Sequence, residues 1–369
     1  MEFQGHSLTD RATTLPGELY VSAEVFAREQ ERIFGRRWLG VGRSDALGEA
    51  GDFRTVEVGN ESLLLVRGRD GKARAFFNVC RHRGTRVCEA EKGRFAGGIQ
   101  CPYHAWTYGL DGALLGAPHM ADVPWFDKAE HPLAPAALAE WEGFLFLNLS
   151  ADAAPLEEAL RPLLGRFAPW RLPRLKTVRQ LSYDVRANWK LIFQNFSECY
   201  HCPPVHPALA KLSHYRSGAN DLRDGAVLGG YMLIDEKGGS LSMSGRMCGA
   251  PLGDLSGDER QRVYYYSIFP STFLTIQPDF VMATRLEPRA PDRTRVLCDF
   301  LFASETLERA DANPMDGIEI WDVTNRQDWH MCELAQQGVS SRAYRPGLYS
   351  REESLLAAFD REYRRSLEG

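Results

Sequence analysis

The spacing of apolar residues divides the chain into stretches of different secondary structure. Residues 22–38, "SAEVFAREQERIFGRRW", place apolar side chains three or four positions apart after a serine that can cap a helix, so they predict a helix. From about Asp45 the pattern changes to short alternating runs such as "FRTVEV", separated by Gly, Asp and Asn, and it continues to "FLFLNLS" near residue 150. We therefore predict a helical segment over residues 1–40 and a small all-β domain over residues 41–150.

The rest of the chain mixes helical and strand-like stretches. Residues 151–175, "ADAAPLEEALRPLLGRFAPWRLPRL", predict an amphipathic helix and a link marked by prolines. A block at about 263–303 is typical of strands, and the chain closes with two helical patterns, "IEIWDVTNRQDWHMCELAQQGV" and "REESLLAAFDREYRRSLE". Long helices laid on an antiparallel sheet make an α+β domain, predicted over residues 151–369, and we expect the N-terminal helical segment to pack on it.

Composition and charge exclude several classes of protein. The 369 residues are 44% apolar and 25% charged, with a formal charge of −5 and no Lys/Arg-rich run interleaved with aromatic residues, so no nucleic-acid partner is expected. The N-terminus lacks a basic segment followed by an apolar core, and no apolar run approaches roughly 18 residues, so we expect a cytoplasmic protein that does not enter a membrane. Eight widely spread cysteines favour metal ligation or buried thiols over a disulfide framework.

Two closely spaced Cys/His pairs lie in the predicted β domain. Cys80 and His82 form C-x-H, Cys101 and His104 form C-x-x-H, and eighteen residues separate the pairs. Two such pairs on glycine-bearing loops can enclose one small metal centre. A structural zinc site uses the same residue types, but it would not require the flanking residues of "FNVCRHRG" and "CPYHAWTY" or a β setting. Cys88, between the pairs, has no histidine partner and is expected to be a free thiol.

A second group of ligating residues is concentrated in "ECYHCPPVHP", residues 198–207. We predict a helix from about Asn188 that ends near Pro203 and Pro204, because proline disrupts a helix interior. On that helix three polar side chains at three-residue steps would share a face, and a second histidine would come from a different direction beyond the prolines. These residues are Asn195, Glu198, His201 and His206. Two imidazoles with a carboxylate from elsewhere suit a site that binds Fe(II) and leaves positions open.

Cys199 and Cys202 in the same segment suggest other chemistry. Their C-x-x-C spacing is that of a thiol redox pair or half of a zinc site. A redox pair needs the N-terminus of a helix, whereas this one is predicted at a C-terminal end, and a zinc site made from both cysteines and both histidines would be crowded. We expect the two cysteines to pack or to form part of a pocket wall. Two ordinary histidines at a helix end would be favoured if the segment stood alone.

The two groups together resemble the α subunits of Rieske non-haem iron oxygenases, the aromatic-ring-hydroxylating superfamily, over nearly the whole chain. The resemblance implies an α+β protein with an N-terminal all-β Rieske [2Fe-2S] domain and a helix-grip (START-like) catalytic domain. It implies that one cluster iron is bound by Cys80 and Cys101 and the other by His82 and His104, with Trp106 shielding the cluster edge.

The same resemblance implies roles in the catalytic domain. It assigns His201 and His206 as ligands of a mononuclear Fe(II), with Asn195 nearby. It makes Glu198 the carboxylate that joins His201 to a Rieske histidine, His104, of the neighbouring copy in a head-to-tail homotrimer.

The carboxylate ligand must come from the late helix. The candidates are Asp322, Asp328 and Glu333, and His330 is a less favoured fourth. The resembled family places an aspartate a few residues before a glutamate on this helix, which favours Asp328. Trp321, Asp328 and Cys332 also share one helical face, so Asp328 is expected to point inward.

The substrate and electron source are also expectations from the resemblance. Because the chain has neither a complete G-x-G-x-x-G after a strand nor a P-loop, electrons from NAD(P)H must arrive through a separate flavin or ferredoxin-type reductase. A glutamate at position 198 and the stretch "TNRQDWHMCELAQQGVSSRAYRPGLYSREE" resemble the branch that acts on glycine betaine, stachydrine and carnitine. That implies hydroxylation of an N-methyl group and release of formaldehyde.

Aromatic side chains are expected to hold the permanent cation of such a substrate, with ordinary core packing as the alternative for each. The candidates are Tyr264, Tyr265, Tyr266, Phe269 and Phe273. Two other functions stay open: an aromatic-ring dioxygenase or O-demethylase on the same scaffold, and a non-catalytic Rieske electron carrier. A carrier would not need the second group of residues.

Overall fold

The computed structural model describes residues 11–235 and 239–368, and these divide into two compact units. The β unit is Phe34–Leu156, and the α+β unit comprises the described residues up to Ile33 and from Glu157 onward. The sequence places the corresponding borders at 40 and 150. The first ten residues of the predicted N-terminal helical segment lie outside the described residues, and residues 11–33 belong to the α+β unit.

The β unit consists of ten short strands in two antiparallel sheets, as the alternating pattern predicts. The larger sheet has the order β1-β10-β9-β4-β3-β2-β5 and the smaller one β6-β7-β8. The strands are β1 Leu39–Arg43, β2 Asp52–Val58, β3 Glu61–Arg67, β4 Ala73–Phe77, β5 Lys92–Arg94, β6 Ile99–Gln100, β7 Thr107–Tyr108, β8 Leu114–Gly116, β9 Pro135–Trp141 and β10 Phe144–Asn148.

Strand β3 separates two apolar clusters because successive side chains of a strand point to opposite faces. Leu63 and Leu65 enter one cluster, and Leu64 and Val66 enter the other. The second cluster also contains Cys80, Cys101, Trp106 and Tyr108. The two Cys/His loops are therefore anchored on the apolar core of this unit.

The α+β unit is built on a seven-stranded antiparallel sheet with the order β11-β17-β16-β15-β14-β13-β12. Its strands are β11 Lys176–Val185, β12 Ala219–Leu222, β13 Val227–Leu233, β14 Arg262–Ile268, β15 Thr272–Ile276, β16 Val281–Ala290 and β17 Arg293–Phe302. The first strand of the unit pairs with the last, so β11 forms one edge of the sheet, beside β17. The strand-rich block expected at 263–303 is confirmed, and so is the α+β fold class.

Nine α-helices lie in the described chain. They are α1 Glu18–Val21, α2 Ala23–Glu29, α3 Leu156–Ala159, α4 Trp189–Phe196, α5 Cys202–Val205, α6 Pro207–Leu212, α7 Ser304–Leu307, α8 Pro314–Val339 and α9 Ser354–Glu368. Short 3-10 turns and one π-helical turn, Gln30–Phe34, connect or extend them. None of the described helices is both long enough and apolar enough to cross a membrane.

Helix α8 contacts α4 and strand β11 within the α+β unit. It is buried along one side, at Ile318, Trp321, Asn325, Trp329, Cys332 and other positions three or four residues apart. Near its start a Cβ on Gly317 would come within 2.7 Å of the Phe280 ring, so glycine allows a close approach there.

The predicted helix from Asn188 begins where expected but ends earlier. The Asn188 side chain accepts a hydrogen bond from Lys190 N–H at 3.0 Å, as an N-cap does. The helix ends at Phe196, since Ser197 Oγ returns to the Phe193 carbonyl and the next residues form a separate turn. The prediction that one helix carries residues 195, 198 and 201 on a single face is therefore wrong.

A buried ion pair joins helix α2 to helix α4. Lys190 Nζ lies 2.5 Å from Glu29 Oε1, and both side chains are fully buried. The same carboxylate accepts hydrogen bonds from Tyr363 OH at 2.7 Å and Trp189 Nε1 at 2.8 Å. Burial lowers the pKa of Lys190, and the charge of Glu29 opposes that shift. The pair fixes the N-terminal helices and α9 to the helix that leads into the histidine segment.

Replacing Lys190 by methionine should destabilise the α+β unit by about 3–5 kcal/mol, because the Glu29 carboxylate would remain buried without its cation. Chemical denaturation followed by tryptophan fluorescence measures this. The double variant Lys190→Met with Glu29→Gln removes both charges and keeps an acceptor for Trp189, so it should recover part of the lost stability. Equal destabilisation in the single and double variants would contradict this account of the pair.

Candidate metal centres

The two Cys/His pairs of the β unit lie on loops of similar backbone geometry. Cys80 N–H donates to the Thr85 carbonyl at 2.8 Å, and Cys101 N–H donates to the Trp106 carbonyl at 2.8 Å. Each loop also contains a residue with positive φ, Gly84 at 73° and Ala105 at 57°. Such tight turns return the chain over the cysteine, so that each loop presents a cysteine and a histidine together.

The four side chains make a sulfur pair next to a nitrogen pair. Cys80 and Cys101 are each only 2% exposed, and the rings of His82 and His104 lie 4.7 Å apart. His82 Nδ1 is buried and has no hydrogen-bond partner in the described chain. Burial, followed by the neighbouring His104, lowers the pKa of His82, which keeps the ring in the neutral form that binds metals. Two buried thiols and two neighbouring imidazoles, one with an unpartnered buried nitrogen, are the donor types of a Cys₂His₂ iron-sulfur cluster.

Aromatic and thiol neighbours surround this donor set. Trp106 is 2% exposed and stacks on the His82 ring, with 4.8 Å between the ring centroids. Tyr108 OH lies 3.3 Å from Cys80 Sγ and accepts a hydrogen bond from Arg81 N–H. Tyr108 was not foreseen, because a tyrosine in a strand carries no sequence mark of a sulfur contact. Cys88 is buried with its thiol directed at the Ala90 carbonyl, as a free thiol.

His201, His206 and Asp328 converge in the α+β unit. Their ligand atoms lie within 4.8 Å of one another, and in the described ranges no other group of three such side chains does so. Asp328 Oδ1 is 2.8 Å from His206 Nε2 and 3.2 Å from His201 Nε2. His201 precedes α5, His206 lies between α5 and α6, and Asp328 comes from α8. Two imidazole nitrogens and one carboxylate are the donor set of a facial Fe(II) site.

Each of the three side chains makes a hydrogen bond to a further polar side chain. Asn195 Nδ2 donates to Asp328 Oδ1 at 3.0 Å, Glu198 Oε1 lies 2.6 Å from His201 Nδ1, and Gln327 Oε1 lies 2.8 Å from His206 Nδ1. Acceptors at both Nδ1 atoms hold protons there and leave the Nε2 atoms free for a metal. The sequence singled out Asn195 and Glu198 but missed Gln327, which no spacing distinguishes from other glutamines.

Glu198 occupies the turn that follows α4. Its Oε2 accepts the backbone N–H groups of Tyr200 and of His201, the latter at 3.2 Å, while its Oε1 faces the His201 ring. The carboxylate thus closes the turn and orients the ring at the same time. This explains how Glu198 and His201 meet although no helix joins them.

The other acidic candidates on α8 are engaged elsewhere. Asp322 accepts from Tyr183 OH at 2.7 Å and pairs with Arg326. Glu333 accepts from the backbone N–H of Arg186 and pairs with its guanidinium. His330 is exposed. Only Asp328 of these four meets the two histidines.

The negative charge around His201, His206 and Asp328 favours binding of a metal cation. Burial opposes protonation of His201, but the carboxylates of Asp328 and Glu198 outweigh it and raise the pKa of His201 to about 10. Burial would raise the pKa of Asp328, yet hydrogen bonds from His201 and His206 lower it, so the carboxylate is ionised. Asp328 thus places a negative charge between the two histidines, and Glu198 adds a second one at the far nitrogen of His201. This charge suits a divalent metal.

The three-residue group forms part of the wall of a pocket whose lining includes eight aromatic side chains. These are Phe196, Tyr200, Tyr215, Tyr231, Tyr265, Phe273, Trp321 and Trp329. Of the five aromatic residues proposed from the sequence, only Tyr265 and Phe273 face the pocket. Residues alternate along β14, so Tyr264 and Tyr266 point to the other face, where both contact Phe167. Phe269 packs against Trp189 and Phe359 in the core.

One further charged side chain lies in the pocket wall. Glu352 lines it and pairs with Arg216, whose Nη2 is 2.6 Å from Glu352 Oε1. No lysine or arginine is among the described residues that line the pocket. Among the described residues, the wall therefore combines apolar and aromatic surface with acidic side chains and has no lysine or arginine that would repel a positively charged ligand.

Cys199 and Cys202 are joined by a disulfide and both line this pocket, so the expectation of a pocket wall agrees with their position. Their predicted place at the C-terminal end of a helix is wrong. The helix ends at Phe196, and Cys202 is the first residue of the short helix α5. Pro203 follows in the first turn, where its missing N–H costs no hydrogen bond.

Comparison with protein families matches both units. A family described as the Rieske [2Fe-2S] domain matches residues 37–127, and the catalytic domain of the ring-hydroxylating alpha subunit matches residues 172–369. The matched ranges contain the Cys/His loops and the three-residue group respectively. This family uses a Rieske [2Fe-2S] cluster and a mononuclear iron as cofactors.

Relatives of known activity align over most of the chain. The glycine betaine monooxygenase oxygenase subunit of Chromohalobacter salexigens is 32% identical, over 92% of this chain and 82% of that protein. The carnitine monooxygenase oxygenase subunit of Escherichia coli K12 is also 32% identical, over 90% of this chain and 86% of that protein.

Solved structures share the fold. A quaternary ammonium Rieske monooxygenase studied for carnitine oxidation superposes with a TM-score of 0.84 at 29% identity, covering 97% of this chain and 96% of that one. Naphthalene 1,2-dioxygenase from Rhodococcus, at 21% identity and a TM-score of 0.77, shares the fold. With both domains matched and relatives at 32% identity, the chain belongs to the Rieske non-haem iron oxygenases, as an oxygenase α subunit.

Proposed function

We propose that this protein removes an N-methyl group from a quaternary ammonium compound such as glycine betaine, stachydrine or a carnitine-like molecule. The observation that carries the proposal is the His201, His206 and Asp328 group, set in a pocket with eight aromatic side chains and, among the described residues, no lining lysine or arginine. Hydroxylation of the methyl carbon would give a carbinolamine, which collapses to the demethylated amine and formaldehyde. The activities named for the glycine betaine and carnitine relatives support this choice.

The proposed ligand sets follow from the donor atoms. Cys80, Cys101, His82 and His104 would hold the cluster, and His201, His206 and Asp328 would hold the mononuclear iron. When bound, the cluster supplies single electrons and the mononuclear iron supplies open positions for dioxygen. Asn195, by donating to Asp328, holds the carboxylate in position for the metal.

Glu198 is proposed as the link between the two centres across subunits. Oε2 of its carboxylate already accepts two backbone N–H groups of the turn, whereas Oε1 faces His201 Nδ1 and can accept one further hydrogen bond. In the proposed homotrimer the additional donor would be His104 of the partner subunit. A carboxylate shared by two imidazole N–H groups fixes both tautomers and shortens the path between the centres.

The pocket wall is suited to a methylated cation. Aromatic faces attract a quaternary ammonium group through their quadrupoles, worth roughly 0.5–2 kcal/mol per ring. Phe196 and Phe273 stack with 4.3 Å between their centroids, and Tyr265 lies beside Trp321. Burial raises the pKa of Tyr265, so its phenol stays neutral. These rings would therefore bind the head group next to His201, His206 and Asp328, the residues that would hold the metal.

The protein would act with other components. An oxygenase subunit of this family works with a reductase, and we propose a flavin or ferredoxin-type reductase that takes electrons from NAD(P)H. A cytoplasmic location remains a prediction from the sequence.

A turnover assay tests the proposed reaction. The protein, a Rieske reductase, NADH and O₂ are incubated with a panel of betaines, choline and aromatic compounds, and formaldehyde and NADH consumption are measured. We expect formaldehyde to form in step with NADH oxidation for at least one quaternary ammonium compound. Coupled turnover only with aromatic compounds would instead identify an aromatic-ring dioxygenase or an O-demethylase.

Replacing Asp328 by asparagine should remove the mononuclear iron and leave the cluster. We expect iron content to fall from about three to about two per chain, since a neutral amide cannot replace the ionised carboxylate. Asp322→Asn, on the same helix but away from the histidines, is the matched control and should retain all the iron. Equal iron in the two variants would exclude Asp328 as a ligand.

Replacing Glu198 by glutamine should leave the cluster absorption spectrum and the iron content unchanged while abolishing NADH-coupled product formation. Gln keeps the size of the side chain, but it cannot accept hydrogen bonds from two imidazoles with the same strength. Glu333→Gln, which alters only the contact with Arg186, is the control. Turnover at the rate of the unmodified protein would rule out the proposed link.

A further inference from the structure

The disulfide between Cys199 and Cys202 encloses a proposed metal ligand. Only Tyr200 and His201 lie between the two cysteines, and Cys202 Sγ is 3.8 Å from His201 Nε2. That nitrogen is the one that faces Asp328, at 3.2 Å. The other six cysteines are free thiols. A disulfide sulfur therefore lies against the donor nitrogen of the three-residue group.

Cys202 Sγ lies at a donor-to-donor distance from one of the three proposed ligands, His201. With zinc–sulfur and zinc–nitrogen bonds of about 2.3 and 2.0 Å in a tetrahedral site, the two donors lie roughly 3.5 Å apart. The observed 3.8 Å between Cys202 Sγ and His201 Nε2 is near that value. In the disulfide this sulfur cannot become a thiolate, which is the form that binds metals. The bond thus withholds a sulfur donor from the site.

We propose that the Cys199–Cys202 disulfide is a reversible redox modification site that selects the metal bound by His201, His206 and Asp328. The oxidised form offers three ligands and open positions, which suit Fe(II). The reduced form adds the Cys202 thiolate and makes a closed four-ligand site that suits zinc and leaves no position for dioxygen. This rests on the proposed three-residue metal site.

The exchange requires a dithiol reductant. Cys199 is partly exposed and Cys202 is 5% exposed, so the reductant thiolate attacks the Cys199 sulfur and Cys202 leaves as the thiolate. The second reductant thiol then releases Cys199 and closes the cyclic disulfide of the reductant. Two electrons pass to the protein sulfurs, and each sulfur ends with one proton unless a metal takes the place of the proton on Cys202.

Zinc binding distinguishes the two redox states. Cluster-loaded protein from which the mononuclear iron has been removed is compared before and after dithiothreitol treatment and desalting under nitrogen. Zinc affinity is measured by competition with a chromophoric chelator, and thiols are mapped by alkylation and mass spectrometry. We expect the affinity for zinc to be more than about tenfold higher after dithiothreitol treatment than before it. Losing one hydrogen-bond partner of a metal ligand typically changes metal affinity by at least roughly tenfold, and gaining a whole ligand should have a larger effect. Bound zinc should protect Cys202, but not Cys199, from alkylation.

Single cysteine variants separate the fourth ligand from a general effect of reduction. Cys199→Ser leaves Cys202 as a permanent thiol, so it should bind zinc tightly with or without dithiothreitol. Cys202→Ser has neither disulfide nor thiolate and should bind zinc weakly in both conditions. Cys88→Ser is the control, since its hydroxyl can still donate to the Ala90 carbonyl, and it should respond to dithiothreitol as the unmodified protein does.

Equal zinc affinity in Cys199→Ser and Cys202→Ser, or alkylation of Cys202 that zinc does not slow, would overturn the proposal. Failure of the underlying metal site gives a different result. In that case the oxidised protein would bind neither zinc nor Fe(II) outside the cluster, and Asp328→Asn would change neither affinity.

Discussion

One carboxylate oxygen, Asp328 Oδ1, contacts side chains from three separate segments of the α+β unit. It lies within hydrogen-bonding distance of His206 Nε2 and Asn195 Nδ2 and 3.2 Å from His201 Nε2. These groups come from α8, from α4 and from the two short segments that follow α4. A buried carboxylate is costly unless it is paired, so the site requires the surrounding imidazoles or a metal to balance its charge.

The positions of these segments depend on contacts made well away from the metal group. Helix α4 is tied to α2 and α9 by the Glu29 carboxylate, which binds Lys190, Trp189 and Tyr363. Its N-terminus is held by Asn188, whose side chain also donates to the carbonyls of Tyr20 and Pro291. The polar network thus fixes the N-terminal end of α4. The turn closed by Glu198, which follows the C-terminal end of the helix, then positions His201. Chemistry at the metal relies on this buried support.

The sheet of the same unit divides its aromatic residues between two roles. Tyr265 on β14 faces the pocket, while its neighbours Tyr264 and Tyr266 pack on the opposite face. A ligand that enters the pocket meets rings from the sheet and from α8, among them Trp321 and Trp329, together with the ionised Asp328. The proposed recognition of a cation and the proposed metal site would therefore share one pocket wall.

The donor types, their short spacings and the alternating pattern of the β unit are local features, and all of them could be predicted from the sequence. The same spacings, with the family resemblance, predicted the residues of both donor sets, and the resemblance favoured Asp328, with the helical face shared with Trp321 and Cys332 as added support. How these residues meet depends on the tertiary structure. The meeting of His201 and His206 with Asp328, the Gln327 contact to His206 and the choice of which face of β14 lines the pocket depend on residues far apart in sequence. The end of α4 at Phe196 and the bond between Cys199 and Cys202 are local, but helical periodicity does not encode them, because side-chain hydrogen bonds of Ser197 and Glu198 to nearby backbone groups compete with the small preference for continuing the helix.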